Sequence, residues 1–493
     1  MKEDLVYFVH GTHAGVSAFL QAESDATHRN ANFVAVGALV PLSYGRLGRN
    51  WLHANQLKRL AKSATADAED IHPLELYWGK YRQDEADSRS VASTSASRHE
   101  PLPPGLDHKR KRPESDNTTR PPNRESLLPD HPALSVLELL TTFGPLLFPL
   151  YRAALLRKRI LILGTPPVQQ SCNFVYLLSI LSSIPHDLSD TLQPDTGSLL
   201  RSQTLFNVGV HDISALSDRR RNARWLACTT DDILGEKKDL SDVLVSLPTK
   251  AYANRKQRWP EIRTSDGRIL KATQRDSRRY GLLHSELERI RNERKHYRDD
   301  LNTDDGDEVS PLTRASTAAL LSQVKHSESG EADVVEPVSW TAMAYNGFMW
   351  WASAGEMEAW ENEEVRTDRQ LLDDIPHVDD LVHHIGSGSE QDEEQELVRH
   401  TSVAATIVTA YFHRLTAQII SPLASLVEDA DDEAEEGTDD SAISITSDDV
   451  RAMGLDTWSA DDVNFVQSAM ELYFGRGVVL DQAGTRICGV KIC

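Results

Sequence analysis

Hydrophobic positions change rhythm several times along the chain. Residues 5–9 (LVYFV) form an apolar run short enough for a buried strand, and 33–42 (FVAVGALVPL) form a second. Trp51, Leu52, Leu57, Leu60 and Ala61 recur at the helical period and predict a helix over 51–64. The pattern lapses at 83–130, where Ser, Arg, Asp and Pro dominate and too little apolar surface remains to offset ordering. It resumes at Pro132. Segments 134–140 and 146–156 carry helical spacing, interrupted at Gly144 and Pro145. Residues 159–163 (RILIL) read as a short buried strand and 168–184 as an apolar helix. Strands are also predicted at 206–210, 225–229 and 243–247. Strands alternating with helices predict a largely parallel sheet covered on both faces.

Beyond residue 250 the pattern becomes strongly charged. Residues 278–298 predict an exposed helix, and 299–308 an acidic loop. An apolar segment at 338–355 holds Trp340, Trp350 and Trp351, and reads as a buried helix or a protein contact. The acidic runs 390–396 and 428–440 read as solvated loops. Helices are predicted at 403–427 and 461–474, and Ser447 and Ser459 have the side chains of N-caps ahead of acids suited to a first turn. No repeat period is visible.

Composition narrows the functional classes. The 493 residues carry a net charge of −22, the wrong sign for a general nucleic-acid or anionic-lipid surface. The basic run 109–112 (KRKR) is a local exception, read as solvated. Four cysteines make no disulfide framework. Cys172 and Cys228 lie in apolar runs and read as buried small hydrophobes. Cys488 and Cys493 lack zinc or prenylation spacing and read as unmodified thiols, with palmitoylation the alternative. No signal peptide and no convincing membrane span are read, so the cytoplasm is expected.

The residue chemistry is mostly negative. LVYFVHGTHAG at 5–15 resembles the oxyanion loop of an α/β-hydrolase, but the G-x-S-x-G elbow that fold requires is missing, and 386–390 (GSGSE) is out of register. His10, His13, His377, His383 and His384 make no full metal set. The stretch 161–167 (LILGTPP) leads from a strand to a turn without a phosphate-loop pattern, and its two prolines lack N–H donors. No catalytic, cofactor-binding or metal residue is assigned, no cofactor is expected, and no covalent catalysis is expected.

Several segments then look familiar as a set. LVYFVHGTHAGVSAFLQ (5–21) and NANFVAVGALVPLSYGRLGRNW (30–51) resemble the upstream part of the DENN module in LCHN-type proteins, a fungal-like family. FGPLLFPLYRAALLRKRILILGTPPVQQSCNFVYLLSILSSIP (143–185) resembles its central segment, continued by LFNVGVHDISAL (205–216) and WLACTTDDILGEKKDLSDVLV (225–245). DDVRAMGLDTW (448–458) is similar to the downstream part.

The resemblance implies an α/β fold: a longin-like N-terminal lobe and an α/β central lobe with a mostly helical C-terminal part. The expected organisation is an upstream lobe at 1–82, truncated at its start relative to the family; a linker at 83–130; a central lobe at 131–250; a charged insertion at 251–336; and a helical part at 337–493. It also implies a guanine-nucleotide exchange factor for a Rab-type small GTPase in membrane traffic, peripheral on endomembranes, that grips the switch regions and releases GDP. A DENN-fold adaptor without exchange activity is the alternative, and a hydrolase the remote one. GTPase-contacting residues stay unassigned.

Overall fold

The computed structural model describes residues 2–22, 32–82, 127–193, 196–218, 224–248, 259–302, 334–337, 343, 356–373, 393–435, 442–481, 486–487 and 490–491. The chain divides into two units, Met1–Pro121 and Pro122–Cys493. Most of the linker expected at 83–130 and of the tryptophan segment at 338–355 lies outside the described residues, as do Cys488 and Cys493.

In the first unit, three antiparallel strands form a meander: β1 (Lys2–His10), β2 (His13–Ala22) and β3 (Asn32–Pro41). His10 pairs with His13 across a two-residue turn, in which Gly11 takes the left-handed φ of +59° that such a hairpin needs. Alternation sorts the side chains: Leu5, Tyr7, Ala14, Val16, Ala18 and Leu20 are buried. Helix α1 (Ala54–Ala66) packs on β2 and β3 and buries Leu57, Leu60 and Ala61. Phe33 and Leu39 on β3 are instead exposed, and Phe33 stacks on Phe19. Helix α2 (His72–Tyr81) buries no residue and is tied by a 2.8 Å hydrogen bond between the Tyr77 hydroxyl and His53 Nδ1. The sequence pattern predicts β1, β3 and α1 but neither β2 nor α2.

In the second unit, α3 (Val136–Phe143) and α4 (Leu147–Leu155) are separated at Gly144 and Pro145, as the spacing predicts. Then follow β4 (Ile160–Leu163), α5 (Val168–Leu181), β5 (Gln203–Asn207), α6 (Ile213–Leu216), β6 (Trp225–Thr229), α7 (Asp232–Glu236), β7 (Val243–Ser246) and β8 (Glu261–Thr264). The strand order is β5-β6-β4-β7-β8; β8 is antiparallel to β7 and the other pairings are parallel. Helix α5 covers β5 and β6 on one face. On the other, Leu161, Trp225 and Ala227 pack with Val208, Leu216, Leu234 and Leu240. Leu161, on the central strand, is fully buried.

The helical part comprises α8 (Gln274–Asn302), α9 (Glu356–Asp373), α10 (Glu393–Glu435), α11 (Ser447–Ala452) and α12 (Ala460–Phe474). A parallel ribbon of β9 (Ile443–Thr446) and β10 (Val478–Asp481) closes it. On α10, Ile407, Val408, Phe412, Leu415, Ile419 and Leu423 are buried, and Phe412 lies 5.5 Å from Phe148 and 5.0 Å from Tyr151 of α4. The run Pro132–Leu155 is long and apolar enough to cross a membrane by length and composition, but 67% of its most apolar window is buried within this packing.

Four local expectations are corrected. The strand expected at 206–210 sits three residues earlier, at Gln203–Asn207. The segment read as a charged insertion at 251–336 supplies the edge strand β8 and a helix whose first turns are buried: Arg275, Asp276, Arg279 and Leu283. The charges of Arg275, Asp276 and Arg279 serve internal ion pairing, while Arg289 and Arg291 pair with Glu286 and Glu288 at the surface. The acidic stretches at 393–396 and 428–435, read as loops, are the two ends of α10. The helix at 447–452 is capped by Thr446, not Ser447: its hydroxyl accepts from Asp449 N while Asp449 accepts from Thr446 N, a reciprocal capping box.

Candidate interaction site

Strands β4 and β6 are neighbours whose chains leave in opposite directions. From β4 the chain passes through α5 to β5; from β6 it passes through α7 to β7 on the far side of β4. The two connections cover opposite faces, since Cys228 meets Cys172 of α5 while Ala227 packs with Leu234 of α7. At such a switch of direction, outside the carboxyl ends of the strands, open α/β sheets bind their ligands.

Three loops, following β4, β5 and β6, make the rim at those carboxyl ends. Backbone bonds pin their bases: Gly164 N donates to Thr229 O at 3.0 Å, Val208 N to Cys228 O at 2.9 Å and Leu247 N to Leu163 O at 2.9 Å. Local polar turns shape the tips. Asp231 N donates to Thr229 Oγ1 at 3.1 Å, and Gly209 N donates to Asp212 Oδ2 at 3.0 Å. The first loop exposes Thr165, Pro166 and Pro167, the second Val210 and His211, the third Thr230, Asp232 and Ile233. Val210 is 48% and Ile233 57% exposed, so the rim offers apolar tips among the carboxylates of Asp212, Asp231, Asp232 and Glu236.

The rim presents exposed apolar tips beside carboxylates, a surface that contact with another macromolecule can use. Among the described residues no group of three or more His, Cys, Asp or Glu is placed to hold a metal. Among the described residues, Ser183 meets His413 and Ser189 meets His186, both away from the rim. In both the hydroxyl donates to a carbonyl, Ile180 O at 2.5 Å and His186 O at 2.6 Å, so neither histidine serves as its base. His10 and His13 face each other across a hairpin, so the HGTHAG motif lacks the strand-to-helix setting of a hydrolase site. His377, His383 and His384 lie outside the described residues.

A buried ion network holds the helical part against α4. Arg152 Nη1 and Nη2 donate to the two oxygens of Asp276 at 2.8 and 2.7 Å, and its Nε lies 3.1 Å from Asp462 Oδ1. Arg275 and Arg279 share Asp368, at 3.0 and 2.7 Å, and Arg279 Nη1 donates to Gly454 O at 2.8 Å. Gly454 has φ +75°, and a Cβ there would collide with the Arg279 guanidinium. Two carboxylates therefore compete for one guanidinium. Burial raises both, but the fork of bonds from Arg152 holds Asp276 below the usual carboxylate range. Burial pushes Asp462 up to about 6, with the attraction of Arg152 only partly opposing it.

Beyond 161–167, no rim residue stands out as a candidate in the sequence. The signal that exists is modest: a valine and an isoleucine inside polar connectors, GVHD and DDILG, each directly after a strand.

Two segments of the chain match known families. The family described as DENN domain-containing protein 11 matches residues 1–257, and a domain of unknown function, DUF4484, matches 335–493. The DENN domain-containing protein 11 of Xenopus laevis is 32% identical over 256 residues, 50% of this chain and 50% of its own length. That of Mus musculus is 31% identical over 256 residues, 50% of this chain and 48% of its own. An uncharacterized protein of Saccharomyces cerevisiae, ANR2, is 25% identical over 341 residues, 68% of this chain and 54% of its own. The matches thus span about half the length of these relatives. No solved structure matches. With a mixed α/β body, a helical C-terminal part and a match over 1–257, the chain belongs to the DENN domain-containing protein 11 family.

Proposed function

We propose that the chain is a guanine-nucleotide exchange factor for a Rab-type small GTPase in membrane traffic. The observation that carries this reading is the family match over 1–257, because DENN modules as a class act on Rab GTPases. The rim is consistent with it. Exchange is differential binding: the factor must hold the nucleotide-free GTPase more tightly than the loaded forms, and it needs complementary surface rather than a nucleophile. The carboxyl rim supplies exposed apolar tips on loops whose bases are tied by backbone hydrogen bonds. The site of action is the cytoplasmic side of endomembranes, with peripheral attachment.

The test is release of a fluorescent GDP analogue from a panel of purified Rab proteins with the full chain added. Acceleration of one or a few Rabs supports exchange. Binding of equal strength to empty, GDP-loaded and GTP-loaded Rab leaves the adaptor reading, and binding to none removes both.

A further inference from the structure

Cys172 lies in the second turn of α5 and Cys228 in β6, directly before the residue that closes the strand. Both are 0% exposed, and their Sγ atoms are 3.6 Å apart although 56 residues separate them. The pair sits immediately under the rim. Thr229, next to Cys228, accepts from Gly164 N through its carbonyl and from Asp231 N through its hydroxyl. Ser171, next to Cys172, packs against Gly164 closely enough that a Cβ on that glycine would collide with its hydroxyl. The two thiols therefore join the helix and the strand that hold two of the three rim loops.

We propose that Cys172 and Cys228 are a redox-active pair, oxidised by hydrogen peroxide to an intramolecular disulfide that staples α5 to β6 beneath the rim. The sulfurs must close from contact to about 2.05 Å, a movement of roughly 1.5 Å that the first turns of a helix can supply. The chemistry runs in two steps. One thiol loses its proton and its sulfur attacks a peroxide oxygen; an S–O bond forms, the O–O bond breaks, and the departing oxygen leaves as water. The second sulfur then attacks the sulfenic sulfur; the S–S bond forms, the S–O bond breaks, and a second water leaves. Two thiols give up two electrons and two protons, and the peroxide becomes two waters.

Burial sets the character of this pair. The oxidant must be small, as hydrogen peroxide is, and the nearest exposed residues ahead of α5 are Thr165, Pro166 and Pro167. Oxidation is therefore slow compared with an exposed low-pKa thiol. Once formed, the bond is reduced slowly in the folded chain, because a thiol reductant must reach sulfurs that are buried. Closing a loop of this length also restricts the unfolded chain, so the oxidised form melts at higher temperature.

The experiment treats the full native chain with peroxide, quenches it, denatures it, blocks remaining thiols with N-ethylmaleimide and maps the peptides without reduction. The expected result is a linked peptide containing Cys172 and Cys228, two fewer blocked thiols, and a rise in melting temperature that dithiothreitol reverses. Cys172→Ala and Cys228→Ala each abolish the linked peptide and the rise; where either variant folds poorly, the reversal in the wild-type chain carries the test. Absence of the linked peptide, its formation only in denatured protein, or separate over-oxidation of the two sulfurs overturns the proposal. None of these outcomes depends on exchange activity.

Discussion

Asp462 is the residue at which burial and charge disagree most. Its carboxyl accepts from Asp456 N at 2.8 Å and lies 3.1 Å from Arg152 Nε, yet Arg152 already gives its paired N–H groups to Asp276. Burial also raises the neighbouring carboxyl of Asp456, and the negative charge of Asp276 adds to the pressure on Asp462. Asp462 therefore binds a proton near pH 6 in the folded chain, against an unfolded value of about 3.9. A raised folded pKa means that this group's contribution to stability is full below the unfolded value and is lost as pH rises through about 6. Asp462→Asn keeps the neutral form at every pH. Its melting temperature should equal the wild type near pH 4 and exceed it at pH 8, by a free energy on the order of 2–3 kcal/mol. Parallel melting profiles across that range would show that Asp462 stays ionised. The second test at this scale is Asp368→Ala, which strands Arg275 and Arg279, both buried, without their shared carboxylate. A loss of about 3–5 kcal/mol is expected in denaturant titration, the scale for a buried ion left without its partner. An effect under about 1 kcal/mol would mean that water replaces the carboxylate.

At the scale of elements, legibility follows from what holds each element in place. β6 is buried at all five positions, so its apolar run WLACT marks the strand to the residue. β2 was not legible because its buried face is Ala14, Val16, Ala18 and Leu20, too small an alternation to stand out beside Gly15 and Ser17. α8 departs from its local pattern for a different reason. Its buried charges are paired with Arg152 and Asp368, partners 124 and 93 residues away, which no local window contains. The rim is legible only in part, because a switch point is a property of strand order and not of any one loop. β4 tests the sheet itself. It lies between β6 and β7, with Leu161 fully buried against Trp225, Ala227 and Leu234. Leu161→Asp should destabilise by several kcal/mol, since an unpaired carboxylate would enter an apolar cluster. An unchanged melting temperature would remove β4 from the centre of the sheet.

For the whole molecule the question is whether the rim is where a GTPase binds. Val210 and Ile233 follow different strands but reach the same edge, and both are exposed, so substitution there leaves the core intact. Their neighbours are carboxylates, Asp212 beside Val210 and Asp231 and Asp232 beside Ile233, which favours a partner surface with apolar residues fringed by lysine or arginine. Replacing an apolar tip with a charge is costly only if the tip becomes buried on association. Ile233→Asp and Val210→Asp should therefore lower binding of the nucleotide-free Rab by about tenfold or more, the scale for a central apolar contact, and slow GDP release in proportion. Melting temperatures should stay within about 1 °C of the wild type, because exposed substitutions shift stability by only a few tenths of a kcal/mol. Higher salt should weaken binding further if the surrounding carboxylates meet basic groups. Full exchange activity in both variants would move the contact away from the carboxyl rim, while loss of activity together with loss of stability would mean that these side chains support the fold.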